Sequence, residues 1–111
     1  MVLIHTPESA GAAEIDGIAI DPERLMPPDC ERLLVIEAAG GALVPLTRLL
    51  LYADMFARWD APAIVVARTT LGTINHSLST IEALRARGVP ILGVAFVGEA
   101  NEDSEATIAE L

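Results

Sequence analysis

Residues 33–45 constrain the fold of this chain more than any other stretch. Four apolar residues, 33–36, predict a strand buried on both faces, as the strands of a parallel sheet are. Glu37 follows at the carboxyl end of that strand, which is the edge where open α/β sheets bind ligands. Gly40 and Gly41 then allow a sharp turn whose backbone can approach a bound group closely. The stretch therefore predicts an α/β sheet with a candidate site beside Glu37.

Glu37 is a candidate ligand for a hard cation. Carboxylate oxygens bind Mg²⁺, and proteins commonly hold this ion beside phosphate groups. The alternative is a solvated acid in the loop between a strand and a helix. The position of Glu37 alone does not decide between these two interpretations.

Two further apolar runs predict buried strands at residues 63–67 and 91–97. Helices are predicted from Thr47 to about residue 59, over residues 74–87, and from Ser104 to the last residue, on the basis of apolar spacings of three and four. The order β-α-β-α-β-α predicts parallel strands with right-handed crossovers. We therefore expect an α/β fold with a parallel sheet and helices on both faces, in three layers as in P-loop nucleotide-binding proteins.

The length of 111 residues predicts one partial α/β domain. Residues 1–31 are expected to be a connecting segment, with a short helix at 8–15 and a helical turn after Asp21. Residues 32–111 are expected to form the core. Three parallel strands leave open edges and cannot cover both faces, so we expect this chain to be a piece of a larger sheet.

The charge distribution limits the possible partners. The net charge of -9 argues against binding to nucleic acid or to an anionic membrane surface. Residues 32–98 nevertheless hold six arginines and four acids, and this central segment would suit an anionic ligand. No signal peptide and no apolar run of membrane-spanning length is found in the sequence, so we expect a cytoplasmic protein.

The chain contains no lysine, because its seven basic residues are all arginines. This excludes a phosphate-loop lysine, a lysine Schiff base and a lysine general base within these residues. Cys30 is the single cysteine, so a disulfide framework and a cysteine-rich metal site are also excluded. We expect Cys30 to have a packing role.

The loop at residues 71–76 contains more groups that could bind a ligand than the neighbouring segments do. It follows a predicted strand and opens a helix, so several unpaired backbone N–H groups should point toward the ligand edge of the sheet. Gly72 permits close approach, and Thr73 or Asn75 could cap the helix. Such a helix start binds carboxylate or phosphate; the alternative is an ordinary capped helix. His76 is a candidate base, metal ligand or surface residue, and the spacing of the histidines does not fit a zinc site.

Two segments resemble dethiobiotin synthetases. The first is VIEAAGG at residues 35–41 followed by VPL at 44–46, which resembles the family's VEGAGG…PL segment. The second is VAR at 66–68 followed by LGTINH at 71–76, which resembles the next strand–helix unit; the GTINH stretch is specific to the family. The resemblance extends over about residues 7–111 and is strongest over 33–88.

The resemblance implies an ATP- and Mg²⁺-dependent ligase of the P-loop superfamily that acts as a homodimer in biotin synthesis. In that family, 7,8-diaminononanoate is carbamated by CO₂ (bicarbonate), activated by the γ-phosphoryl group of ATP and closed to a cyclic urea. The glutamate that matches Glu37 helps to hold Mg²⁺ at the phosphates. The implied substrate-binding positions are the turn matching Ala39, Gly40 and Gly41, and the helix start matching Gly72, Thr73, Ile74 and Asn75, which receives the substrate carboxylate across a dimer interface.

Some family features are missing from this sequence. The phosphate loop, its lysines and a second Mg²⁺-binding acid of the family lie upstream of any residue present here. Ala38 replaces a usual glycine, and Val97 replaces an asparagine that contacts the nucleotide base. We therefore expect a segment that is inactive on its own. The alternative hypothesis is a non-catalytic dimerisation or binding module related to the P-loop synthetases.

Overall fold

The computed structural model describes residues 2–5, 15, 17 and 19–111. A 3-10 turn at Pro22–Arg24 precedes most of the regular structure. The strands and helices, in chain order, are β1 (Val2–His5), β2 (Leu34–Glu37), β3 (Pro45–Thr47), β4 (Leu50–Leu51), α1 (Tyr52–Arg58), β5 (Ala63–Arg68), α2 (Thr73–Arg85), β6 (Ile91–Val97) and α3 (Glu102–Glu110). The helix predicted at residues 8–15 lies, apart from Ile15, outside the described residues.

The α/β class with parallel strand pairing is confirmed. β5 and β6 pair in parallel, with a bulge where Ala63 pairs with Ile91 and Ile64 pairs with Gly93. β1 pairs in parallel with β2, although it lies in a segment predicted to be a connection. The described strands form three two-stranded sheets, so β2 and β5 are not joined in one sheet.

The helix predicted to begin at Thr47 begins only at Tyr52. The preceding residues form an antiparallel pair, β3 with β4, in which Pro45 lies opposite Leu51. The Thr47 hydroxyl accepts a hydrogen bond from the Leu49 amide at 3.2 Å and therefore stabilises this turn, not a helix start. The Leu49 side chain is 96% exposed, so it takes no part in an apolar helical face.

The larger core lies between one face of the β5–β6 sheet and helices α1, α2 and α3. Its buried members are Ala53, Val65, Ile81, Leu84, Val89 and Ile108. On the opposite face, Ile64, Val66 and Val97 are 60%, 69% and 57% exposed. The prediction that residues 33–36 form a strand buried on both faces is wrong, because Leu33 is 78% and Val35 is 39% exposed. The apolar runs mark the strands correctly, but in the described residues one face of these strands is open to water.

A second apolar cluster holds the segment before β2 against α1. Its buried members are Leu46, Tyr52 and Met55. The Trp59 indole N–H donates to the Leu25 carbonyl at 2.8 Å, which ties the end of α1 to the segment after the 3-10 turn. None of the helices in the described part of the chain is long and apolar enough to cross a membrane.

The Asp54 carboxylate connects α1 to the end of α2. One oxygen accepts a hydrogen bond from the Leu51 amide at 2.8 Å, at the start of α1. The other accepts from the Arg87 guanidinium at 2.6 Å, just beyond α2. These two hydrogen bonds, the Leu51 amide first, hold the pKa of Asp54 below its usual value. The carboxylate therefore stabilises the folded chain in its charged form.

We predict that Asp54→Asn lowers the free energy of unfolding at pH 7 by about 1 kcal/mol, the scale of one partly exposed charged hydrogen bond. Because the folded pKa is lowered, the contribution is present above the unfolded pKa, about 3.9, and is lost as the pH falls through the folded value. Urea unfolding of the two chains should therefore give curves that converge in acid.

The matched control for this prediction is Asp29→Asn, since Asp29 is exposed and lies in a loop. That substitution should leave the urea midpoint unchanged both at pH 7 and in acid. An Asp54→Asn chain as stable as the parent at pH 7 would contradict the assigned role.

Candidate functional site

Helix α2 begins without a side-chain cap. Its N-cap residue is Gly72, which has φ +91°, in the region that favours glycine. The prediction that Thr73 or Asn75 caps this helix is therefore wrong. The Thr73 side chain is buried and its hydroxyl lies 3.5 Å from that of Ser77, inside the helix.

Two backbone donors at the start of α2 have no acceptor among the described residues. The Thr73 amide donates to the Thr70 carbonyl and the His76 amide donates to Gly72, at 3.1 Å each. The amides of Ile74 and Asn75, between them, donate to no acceptor within the described residues. Such unpaired donors make a helix start favourable for an anion. The sequence-based expectation of free N–H groups here is confirmed.

A cavity of about 640 Å³ opens at this helix start. The Asn75 side chain faces water and has no hydrogen-bond partner in the described part of the chain. The lining residues come from the loop after β5, the first turns of α2 and the first turn of α3: Thr70, Leu71, Gly72, Thr73, Ile74, Asn75, Leu78, Asn101 and Ser104. All four predicted residues of the helix start therefore line one cavity.

The second wall of this cavity was not predicted. Asn101 caps α3, since its side-chain oxygen accepts from the Ser104 amide at 3.1 Å. The backbone N–H of Asn101 donates in turn to the Glu105 carboxylate at 3.0 Å. An asparagine followed by acids in the first turn is a readable helix-start signal. It places the start of α3 two residues before the predicted Ser104, and brings Asn101 and Ser104 to the cavity.

Glu37 is exposed at the last position of β2. Its carboxylate makes no hydrogen bond or ion pair with the described residues, and is therefore available to a ligand. No group of three or more potential metal-ligating side chains occurs in the described ranges. Mg²⁺ commonly takes only one or two carboxylates and completes its coordination with water and phosphate oxygens, so a single free carboxylate fits this ion.

The turn after Glu37 is tied to the start of α1. Gly40 and Gly41 have φ +88° and +137°, so both need glycine. The carbonyls of Ala42 and Val44 accept hydrogen bonds from the first amides of α1, at 2.8 and 3.1 Å. The amides of Tyr52 and Ala53 at the start of α1 are therefore occupied by acceptors of the glycine turn.

The structure keeps the two predicted groups of site residues apart. Each group lies where a parallel strand ends, Glu37 after β2 and the α2 start after β5. Glu37, Ala39, Gly40 and Gly41 are not among the residues that line the cavity at α2. Within the described residues, the site therefore consists of a free carboxylate beside a glycine turn and a separate cavity with free amides.

Comparison with known sequences shows the family. Residues 2–111 match the family model described as an AAA domain. This chain belongs to the AAA domain family. The match includes both glycine-containing loops of this AAA domain and all of its described strands and helices.

Curated relatives support the resemblance to dethiobiotin synthetases. The AAA domain is 68% identical over 100 residues to the ATP-dependent dethiobiotin synthetase BioD of Sphingopyxis alaskensis, which covers 90% of the chain and 48% of the relative. It is 63% identical over 109 residues to the protein of that name from Rhodopseudomonas palustris strain BisB5, and 67% identical to that of Novosphingobium aromaticivorans, covering 97% of the chain each time. The chain spans about half the length of the curated relatives it matches.

We predict that Gly72→Ala lowers the free energy of unfolding of this AAA domain by about 1 kcal/mol, because alanine is strained at positive φ. It should also shift the NMR amide signals of Ile74 and Asn75, because the added methyl group would lie 3.4 Å from the His76 ring.

The control is Gly88→Ala, at φ +72° with no atom near the added methyl group. It should destabilise the chain similarly but leave the Ile74 and Asn75 signals in place. Equal effects of both substitutions on those signals would contradict a specific role of Gly72 at the cavity.

Proposed function

We propose that this chain is part of an ATP-dependent dethiobiotin synthetase of the cytoplasm. The proposed reaction closes 7,8-diaminononanoate with CO₂ (bicarbonate) to a cyclic urea, with ATP and Mg²⁺. The proposal rests on identities of 55–68% to proteins of that name over 90–97% of the chain. Free donors at α2 and a free acid after β2 agree with it, because the substrate carries a carboxylate and the reaction uses a phosphoryl donor.

The cavity at α2 is the proposed site for the substrate carboxylate. The unpaired amides of Ile74 and Asn75 would each donate to a carboxylate oxygen, and the Asn75 side chain offers a further donor. Gly72 would leave room for the approach, since it has no side chain at the mouth of the cavity. In this proposal, the carboxylate comes from substrate bound to the other subunit of a homodimer.

Glu37 is the proposed Mg²⁺ ligand of this segment, and Ala39, Gly40 and Gly41 are proposed to lie beside the substrate. Bound Mg²⁺ would neutralise charge on the transferred phosphoryl group. The chain has no lysine, so the lysine that binds phosphate in such enzymes is not among these residues. These residues are therefore proposed to hold the carboxylate and the metal, and not to bind the phosphates by a lysine.

We predict that Asn75→Ala weakens the binding of 7,8-diaminononanoate by roughly tenfold, the loss expected for one hydrogen bond to a charged group. The measurement is isothermal titration calorimetry of the parent chain and the variant. The methyl ester of the substrate should bind the parent weakly, because it lacks the charge that the helix start favours.

The matched control is Ser79→Ala, one turn further along α2 and outside the cavity lining. It should bind like the parent. Equal binding of the acid and its ester, or an unchanged affinity in Asn75→Ala, would argue against the carboxylate site.

We also predict that Glu37→Gln reduces metal binding at the end of β2. Mn²⁺ is a suitable probe, because it accepts the same oxygen ligands as Mg²⁺ and broadens nearby NMR signals. In the parent chain with ATP present, Mn²⁺ should broaden the amide signals of Glu37 and Ala38 at low concentration, and the substitution should abolish this.

Glu31→Gln, at an exposed acid before β2, is the control and should not change the broadening at Glu37. Uniform broadening over all acidic segments, unaffected by Glu37→Gln, would count against Glu37 as the metal ligand.

A further inference from the structure

The loops that leave β5 and β6 meet at Thr69 and Gly98. The Thr69 amide donates to the Val97 carbonyl at 3.2 Å, which extends the pairing of the two strands by one residue. Gly98 has φ +131°, and a methyl group built there would lie 3.7 Å from the Thr69 Cβ and backbone nitrogen. The same methyl group would overlap the Thr69 hydroxyl oxygen. A side chain at residue 98 therefore fits only if the Thr69 hydroxyl or one of the two loops moves.

Each of these loops leads directly to one wall of the α2 cavity. The first continues from Thr69 to Gly72 and the start of α2, and the second from Gly98 to Asn101 and the start of α3. Both helices pack in the same core, on the same face of the β5–β6 sheet. Because each loop is short, a change of spacing at Thr69 and Gly98 is expected to move the helix start to which that loop leads.

We propose that Thr69 and Gly98 are positioning residues that set the width of the cavity between α2 and α3. Neither residue lines the cavity, so they would act through the two walls and not by touching a ligand. The inference rests on the proposed function for the identity of the ligand, a carboxylate at the end of a flexible alkyl chain. A wider gap would leave that carboxylate in contact with one wall only.

The width of the cavity would determine whether the Ser104 hydroxyl and the α2 amides can bind the same carboxylate. Ser104 is half-buried on the α3 wall, and its hydroxyl makes no hydrogen bond within the described residues. On the other wall, the Ile74 and Asn75 amides are equally unpaired. A carboxylate has two oxygens, and the close approach of the loops is what would let one oxygen meet each wall.

The test is the substitution Gly98→Ala, followed by the addition of Thr69→Ala, which is expected to restore substrate binding. Gly98→Ala should force the loops apart, reduce the affinity for 7,8-diaminononanoate by roughly tenfold, and shift the amide signals of Asn75 and Ser104, since small misplacements of binding groups are costly. Adding Thr69→Ala removes the overlapping oxygen and should restore most of the affinity and the signals. Backbone strain at residue 98 is present in both variants, so the rescue separates spacing from loss of stability.

Thr69→Val is the second variant, for the case that Gly98→Ala does not fold. It keeps Gly98 and places a methyl group in the position of the hydroxyl, so it should widen the gap without strain at positive φ. Thr69→Ala alone is the reference chain for the double variant, because it carries the same change at residue 69.

The outcomes separate this proposal from the proposed function. If folded Gly98→Ala and Thr69→Val chains leave the substrate affinity and the Asn75 and Ser104 signals unchanged, or if Thr69→Ala gives no rescue, the positioning role is wrong. If the signals move and return as expected while the parent chain does not bind the substrate, the positioning role is supported and the proposed carboxylate site is not.

Discussion

The carboxylate of Asp54 links the helix that follows the glycine turn, α1, to the helix that begins at the cavity, α2. It joins the first turn of α1, through the Leu51 amide, to the Arg87 guanidinium at the far end of α2. The side chains of Asp54 and Arg87 are about one-third exposed, 32% and 27%, so water weakens their attraction without removing it. Folded domains are stable by only about 5–15 kcal/mol, so one such link is a sizeable contribution for a chain this small.

This link gives the two groups of candidate site residues a common support. The glycine turn is bonded to α1 through the carbonyls of Ala42 and Val44, and α1 is bonded to α2 through Asp54. The cavity lies at the opposite end of α2. The turn beside Glu37 and the free amides of the cavity therefore belong to one connected unit of hydrogen bonds and packed helices, which suits a site that must hold its groups in fixed positions.

The elements predicted well from sequence are those whose signal is local. β5 and β6 are apolar runs that begin beside Pro62 and Pro90, and α2 has an apolar spacing of three and four, so their bounds differ from the prediction by two residues at most. The hairpin of β3 and β4 was missed because three consecutive leucines fit a helix as well as a strand. β1 has only a run of three apolar residues at 2–4, and its assignment as a strand depends on pairing with β2, about thirty residues away.

The same distinction applies to the candidate site. The position of Glu37 at a strand end and the free amides after Gly72 follow from motifs of a few residues, and both were predicted. The role of Asp54 was not, because Arg87 is 33 residues away in the chain. Asn101 and Ser104 were missed for a related reason: their helix start could be read locally, but its approach to α2 is set by tertiary packing.

The contact of Thr69 with Gly98 also has an evolutionary consequence. A residue larger than glycine at position 98 fits only if the Thr69 side chain moves or is replaced by a smaller one, whereas glycine at 98 leaves position 69 free to hold a hydroxyl. Divergence at these two positions should therefore be correlated, and a chain in which residue 98 changed first would keep the unfavourable contact until residue 69 changed as well.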